Sequence, residues 1–144
     1  TTKDLPQNYF DLIIFNDVLE HMYDPWEVLI TAKKLLTEDG ILVISLPNIR
    51  HRSVLLNLIF KDEFEYKEQG ILDVSHIRFF TEKSMKKLLT DCGYEILKIE
   101  NTVDYANKPV MKIIKKIRYL ITPSIFRSIN IWQFGITAKM NTST

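Results

Sequence analysis

The sequence predicts an α/β fold built on an open sheet of about four strands, parallel except for an antiparallel final strand, with helices on both faces. Two observations carry this expectation. Leu12-Ile13-Ile14-Phe15 and Ile41-Leu42-Val43-Ile44-Ser45-Leu46 are apolar runs without alternation, which suits strands covered on both faces better than strands with one wet face. Between them lies a capped amphipathic segment, the helical crossover that parallel neighbours require.

The elements follow in order. Strand 9–15 breaks into a polar cluster at Asn16 and Asp17. Asp24-Pro25-Trp26-Glu27 then supplies an acidic cap, a proline at the first helical position and a glutamate three residues after the cap, an acidic variant of the capping box. Val28, Leu29, Ala32, Leu35 and Leu36 recur at helical spacing, so helix 25–36 is expected, with Gly40 closing the turn before strand 41–46. Ser53 to Phe60 reads as a short helix leading into Lys61 to Glu68, where charges alternate with aromatics, and residues 51–75 together form a variable cover. Thr81 caps helix 82–92, whose Met85, Leu88, Leu89 and Cys92 make one apolar stripe, and Gly93 stops it. Strands 94–100 and 132–140 come next and should pair antiparallel. Between them, residues 109–121 set Val110, Ile113, Ile114 and Ile117 beside Lys112, Lys115, Lys116 and Arg118 in a basic amphipathic helix. Residues 1–140 form one domain and 141–144 a tail.

Composition narrows the function. A chain of 144 residues with 46% hydrophobic content can bury a core, and a formal charge of +1 argues against nucleic acid as a partner. The lone Cys92 excludes an internal disulfide and reads as a small core residue. No run of about eighteen apolar residues occurs, and Thr1-Thr2-Lys3-Asp4 has no signal-peptide character, so a cytoplasmic location is expected.

Phe10-Asp11-Leu12-Ile13, then Asp17-Val18-Leu19-Glu20-His21, then Leu35-Leu36-Thr37-Glu38-Asp39-Gly40-Ile41-Leu42 resemble the second half of a class I S-adenosylmethionine-dependent methyltransferase. His76-Ile77-Arg78-Phe79-Phe80-Thr81, Leu88-Leu89 and Gly93-Tyr94-Glu95-Ile96 are similar to that family's distal part, and Gln133 to Ala138 to its last strand. The resemblance implies a Rossmann-like half-sheet and S-adenosylmethionine as the cofactor of the intact domain. The family's glycine-rich loop has no counterpart here, because Gly40, Gly70, Gly93 and Gly135 stand too far apart. The chain therefore looks like a fragment that starts at the fourth strand of the family's sheet, and it is expected to be inactive alone.

In open sheets of this type ligands bind outside the carboxyl ends of the strands, so Asn16 to His21 and Pro47 to His51 should converge on one crevice. The resemblance assigns Asn16, Asp17, Val18 and Leu19 to the cofactor; Val18 and Leu19 are as readily core, and Asn16 can equally satisfy a turn. His21 is the candidate base for a hydroxyl acceptor, with Glu20 as its orienting partner, although the pair can also be structural. Asn48, His51, His76 and Arg78 are candidate substrate contacts; for His76 and Arg78 the alternative is an ordinary charged turn beside Phe79 and Phe80. The three histidines have no local metal-ligand spacing, and no metal site is expected.

The expected reaction is methyl transfer to a small or medium acceptor, such as a hydroxyl of a lipid, quinone or sugar. The competing class is a non-enzymatic module whose basic helix binds a partner or a membrane surface. In the resembled sheet the strand at Leu12 to Phe15 is internal, so here it should present an open apolar edge and promote self-association.

Overall fold

The computed structural model describes residues 5–103 and 128–141. Four strands, β1 (Phe10–Asn16), β2 (Leu36–Pro47), β3 (Tyr94–Val103) and β4 (Ile131–Met140), form one sheet in the order β1-β2-β4-β3. β1 and β2 are parallel, whereas β4 runs antiparallel to both β2 and β3. The sheet is thus parallel apart from its last strand in sequence, which sits between β2 and β3. Among the described residues three α-helices accompany it: α1 (Pro25–Leu35), α2 (Arg52–Lys61) and α3 (Glu82–Asp91).

Local chemistry sets the helix boundaries. The Asp24 side chain accepts the Glu27 N–H at 2.9 Å and Pro25 occupies the first turn of α1, where a missing N–H costs nothing. At α3 the hydroxyl of Thr81 accepts the Ser84 N–H while Ser84 Oγ accepts the Thr81 N–H, which satisfies two otherwise orphaned donors. Gly93 follows with φ of 76°, the left-handed conformation that lets the chain reverse into β3.

Gly40 departs from the expectation of a turn. β2 begins at Leu36, directly after α1, and Gly40 lies inside the strand. The pairing of β1 with β2 slips between Phe10↔Leu36 and Leu12↔Ile41, which marks a bulge. A Cβ at position 40 would stand 2.9 Å from Leu36 Cδ2 and from the Thr37 carbonyl oxygen, and 3.0 Å from that of Phe10. Close backbone approach, not a positive φ, accounts for glycine here.

The core lies on one face of the sheet. Leu42, Ile44 and Leu46 of β2 and Phe134, Ile136 and Ala138 of β4 are buried in one cluster with Leu29 of α1 and Leu88 and Leu89 of α3. Tyr94 stitches the layers together: its hydroxyl donates to the Leu29 carbonyl at 2.9 Å. β1 is different. Ile13 and Phe15 pack against the core, but Leu12 and Ile14, on the opposite face, are 49% and 58% exposed, and among the described residues the strand forms the sheet edge. Residues 62–69 are exposed, and Phe64 and Tyr66 turn back so that their rings meet Phe79. The basic helix expected at 109–121 lies outside the described residues. Among the described residues no helix is long and apolar enough to cross a membrane.

Candidate functional site

β1 and β2 end side by side, with Asn16 paired to Ser45. The Ser45 hydroxyl donates to Asn16 Oδ1 at 2.7 Å and accepts the Asp17 N–H at 3.0 Å. Gln133 of β4 reaches across the strand ends, its amide donating to Asp17 Oδ1 and, at 3.2 Å, to Ser45 Oγ. Asp17 has φ of 53°, a left-handed conformation unusual for a residue with a side chain, and the Ser45 and Gln133 bonds hold it there. Asn16 and Asp17 are exposed, so this polar rim is available to a ligand. Ser45 and Gln133 were not singled out from the sequence; the available signal was a hydroxyl at the end of an otherwise apolar strand.

Beyond Asp17 the chain makes one 3₁₀ turn, Leu19–His21. Val18 is half-buried, and Leu19 is completely buried in the core cluster. Of the two alternatives for Leu19, cofactor or core, its side chain takes the core and supports the loop from behind. Glu20 is 1% exposed, and neither carboxylate oxygen has a hydrogen-bond partner. Burial pushes its carboxyl above the ordinary carboxylate range; the neighbouring Asp17 charge adds to this, whereas the two nearby histidines oppose it.

The Glu20 carbonyl accepts the N–H groups of both Ile77 (2.9 Å) and Arg78 (3.0 Å), which clips the distal segment onto the turn. The clip carries His76 to Glu20 and His21. The two imidazole rings lie 4.7 Å apart at 71°, and His76 Nε2 is 3.9 Å from Glu20 Oε1. The fold therefore gathers His21, His76 and Glu20, a grouping that sequence spacing did not suggest.

The remaining candidates are occupied by structural work. Asn48 is completely buried; its amide donates to the carbonyls of Ser128 (2.7 Å) and Ile131 (2.8 Å), and its Oδ1 accepts the Arg50 N–H. His51 is buried against Trp132 and caps α2, with Nδ1 facing the Ser53 N–H and hydroxyl. In this fold the polar atoms of Asn48 and His51, the two expected substrate contacts, serve strand-end anchoring and helix capping. Arg78 is exposed, donates to the Tyr23 carbonyl and stacks over Trp26, so it braces the entrance to α1.

A sheet in which the last strand inserts antiparallel beside parallel strands, with an open polar rim at their carboxyl ends, defines a Rossmann-like α/β domain. A family model described as a methyltransferase domain matches residues 2–99, more than half of the chain, and the protein belongs to that family. No curated protein sequence matches it. Solved structures do. A SAM-dependent methyltransferase from Archaeoglobus fulgidus aligns with a TM-score of 0.60 at 21% identity, covering 95% of this chain and 62% of the other. A SAM-dependent methyltransferase described as a possible histamine N-methyltransferase, from Thermotoga maritima, gives 0.60 at 16% identity, covering 95% and 59%. The 1,6-didemethyltoxoflavin-N1-methyltransferase of Burkholderia thailandensis, solved with bound 1,6-didemethyltoxoflavin and S-adenosylhomocysteine, gives 0.55 at 15%, covering 96% and 47%. At these identities the likeness is one of fold, and the chain spans roughly half to six tenths of these neighbours.

Proposed function

We propose that the protein acts in methyl transfer from S-adenosylmethionine to a small or medium acceptor, with a hydroxyl of a lipid, quinone or sugar as the acceptor class. The observation that carries this reading is the Asn16-Asp17 rim, held open at the carboxyl ends of two parallel strands by Ser45 and Gln133 in a chain of the methyltransferase family. The donor set fits part of the cofactor: an exposed amide and carboxylate can meet the charged methionine portion. The four glycines are too scattered for a loop that would cradle that portion from the other side. When bound, the cofactor supplies the electrophilic methyl group; the residues here orient it and the acceptor.

These residues form one wall of a site, so the affinity of the chain by itself for S-adenosylhomocysteine is expected to be in the millimolar range. A nitrogen-15 NMR titration tests this. Shifts concentrated at Asn16 to Leu19 and at Gln133 support the reading. Shifts confined to other parts of the sheet, or none at millimolar ligand, overturn it, and micromolar affinity overturns the one-wall account.

A further inference from the structure

We infer that Glu20, His21 and His76 form a binding site for one divalent transition-metal ion of the zinc class. One potential ligand atom from each residue lies within 4.8 Å of the other two. Proximity alone would not suffice; the buried, unpartnered Glu20 carboxylate and the histidine hydrogen bonds carry the argument further. His21 Nδ1 faces the Ser75 carbonyl at 3.1 Å, and His76 Nδ1 faces the Ile71 carbonyl at 3.0 Å. A carbonyl can only accept, so both Nδ1 atoms carry hydrogen and, in the neutral rings, both Nε2 atoms carry lone pairs. The Glu20 carboxylate, 1% exposed and with both oxygens unpartnered, is acceptor-only as well. The carboxylate and the two neutral rings thus offer electron pairs within one small cluster, with His76 Nε2 3.9 Å from Glu20 Oε1. A proton could bridge only two of these groups, whereas a metal ion can satisfy all three at once.

The surroundings support this assignment. Backbone carbonyls that hold Nδ1–H are the usual outer partners of metal-bound histidines, because they fix the tautomer and aim Nε2 inward. The double clip of Ile77 and Arg78 onto the Glu20 carbonyl ties the two halves of the site together through the main chain. Contraction to bonding distances of about 2.0–2.2 Å asks only for small side-chain rotations from the present spacing. Two imidazoles and one carboxylate favour zinc, cobalt or iron over magnesium, and three protein ligands leave a position open. His21 is only half-buried, so the cluster can be reached from solvent on its side. This makes His21 and Glu20 ligands, not a base and its orienting partner. An ion there could hold an acceptor oxygen and lower its pKa, a use that rests on the methyl-transfer reading. Metal uptake itself does not depend on that reading.

Cobalt(II), titrated into the metal-free full-length protein and followed by its visible ligand-field absorption, is the direct probe, with zinc as competitor. The expected result is saturation at one equivalent, displacement by zinc, and binding weakened by more than about tenfold in Glu20→Gln and in His76→Gln. Glutamine is close in shape to glutamate and its amide can donate to the Nε2 lone pairs, so Glu20→Gln should fold. If buried His76→Gln fails to fold, half-buried His21→Gln must show the same loss. No cobalt band in the folded protein, or uptake unchanged in the folded variants, overturns the assignment. An unchanged S-adenosylhomocysteine titration beside lost cobalt binding would separate this site from the cofactor wall.

Discussion

Ser45 Oγ stands 2.7 Å from Asn16 Oδ1, so a single hydroxyl near the end of β2 determines where the side chain at the end of β1 points. The same oxygen accepts the Asp17 N–H. Ser45→Ala removes both bonds, and the one Gln133 donates to the same oxygen, without changing the strand register. The expected cost is about 1 kcal/mol in a denaturant titration. The more specific outcome is faster hydrogen exchange at the Asp17 amide, with the core amides of β2 unaffected. Retained protection at Asp17 would show that Gln133 suffices to hold the loop.

Gly40→Ala is expected to destabilise the fold by about 1–3 kcal/mol, as overpacking generally does. Two of the three atoms its Cβ would meet are backbone oxygens, of Thr37 and Phe10, which cannot swing aside as a side-chain end can. The loss should appear as a lower denaturant midpoint with an unchanged slope. A midpoint equal to that of the parent would mean that the bulge between Phe10 and Leu12 is soft.

These two sites show what could be read from the sequence and what could not. Leu12 to Phe15, the Asp24-Pro25 cap, the Thr81 cap and the Gly93 stop act through neighbours a few residues away, and they reveal the strand-helix-strand order directly. Asn16 and Asp17 were legible as the polar end of an apolar strand. Gly40 reads from the sequence as closing the turn before the second strand; only the slipped pairing with β1 shows the steric reason for glycine. Asn48, His51 and the Glu20, His21 and His76 cluster depend on partners far away in the chain, such as the Ser128 carbonyl for Asn48. No local pattern encodes such contacts.

Asn48 should be intolerant of change. Asn48→Ala strips hydrogen bonds from the buried carbonyls of Ser128 and Ile131, at an expected cost of about 1–3 kcal/mol. Asn48→Asp should be worse, because it places a carboxylate oxygen against those same carbonyls in a buried setting. Urea titration of the two variants tests the order. An aspartate variant as stable as the alanine variant would indicate that the region opens to water.

The exposed edge of β1 predicts self-association. Among the described residues β1 pairs only with β2, and its outer side chains Leu12 and Ile14 are about half exposed. Open apolar edges seek a further strand, and lysine on such an edge discourages it. The apparent mass from light scattering should therefore rise with concentration and fall back toward the monomer in the Leu12→Lys, Ile14→Lys double variant. A monomer at high concentration in the parent protein contradicts this.

Tyr94 predicts a loss of stability in alkali. Its side chain is 2% exposed, its hydroxyl donates to the Leu29 carbonyl, and burial raises its pKa far above the ordinary value of 10.0, with the nearby Cys92 adding to the shift. In the folded protein the phenol therefore keeps its proton where the unfolded chain has lost it. The sign follows: the contribution is intact below pH 10.0 and is lost as pH rises from the unfolded toward the folded value. Within that window the slope from this one proton is about 1.4 kcal/mol per pH unit. Tyr94→Phe removes the titrating group together with its hydrogen bond, so it should cost about 1 kcal/mol near neutrality and narrow or reverse the gap to the parent above pH 10.0. Other groups titrate in the same range, so the informative quantity is the difference between the two proteins measured by denaturant midpoint at each pH. A constant difference across the alkaline range would mean that Tyr94 ionises as readily in the fold as outside it, and that the layer joining α1 to β3 is open to water.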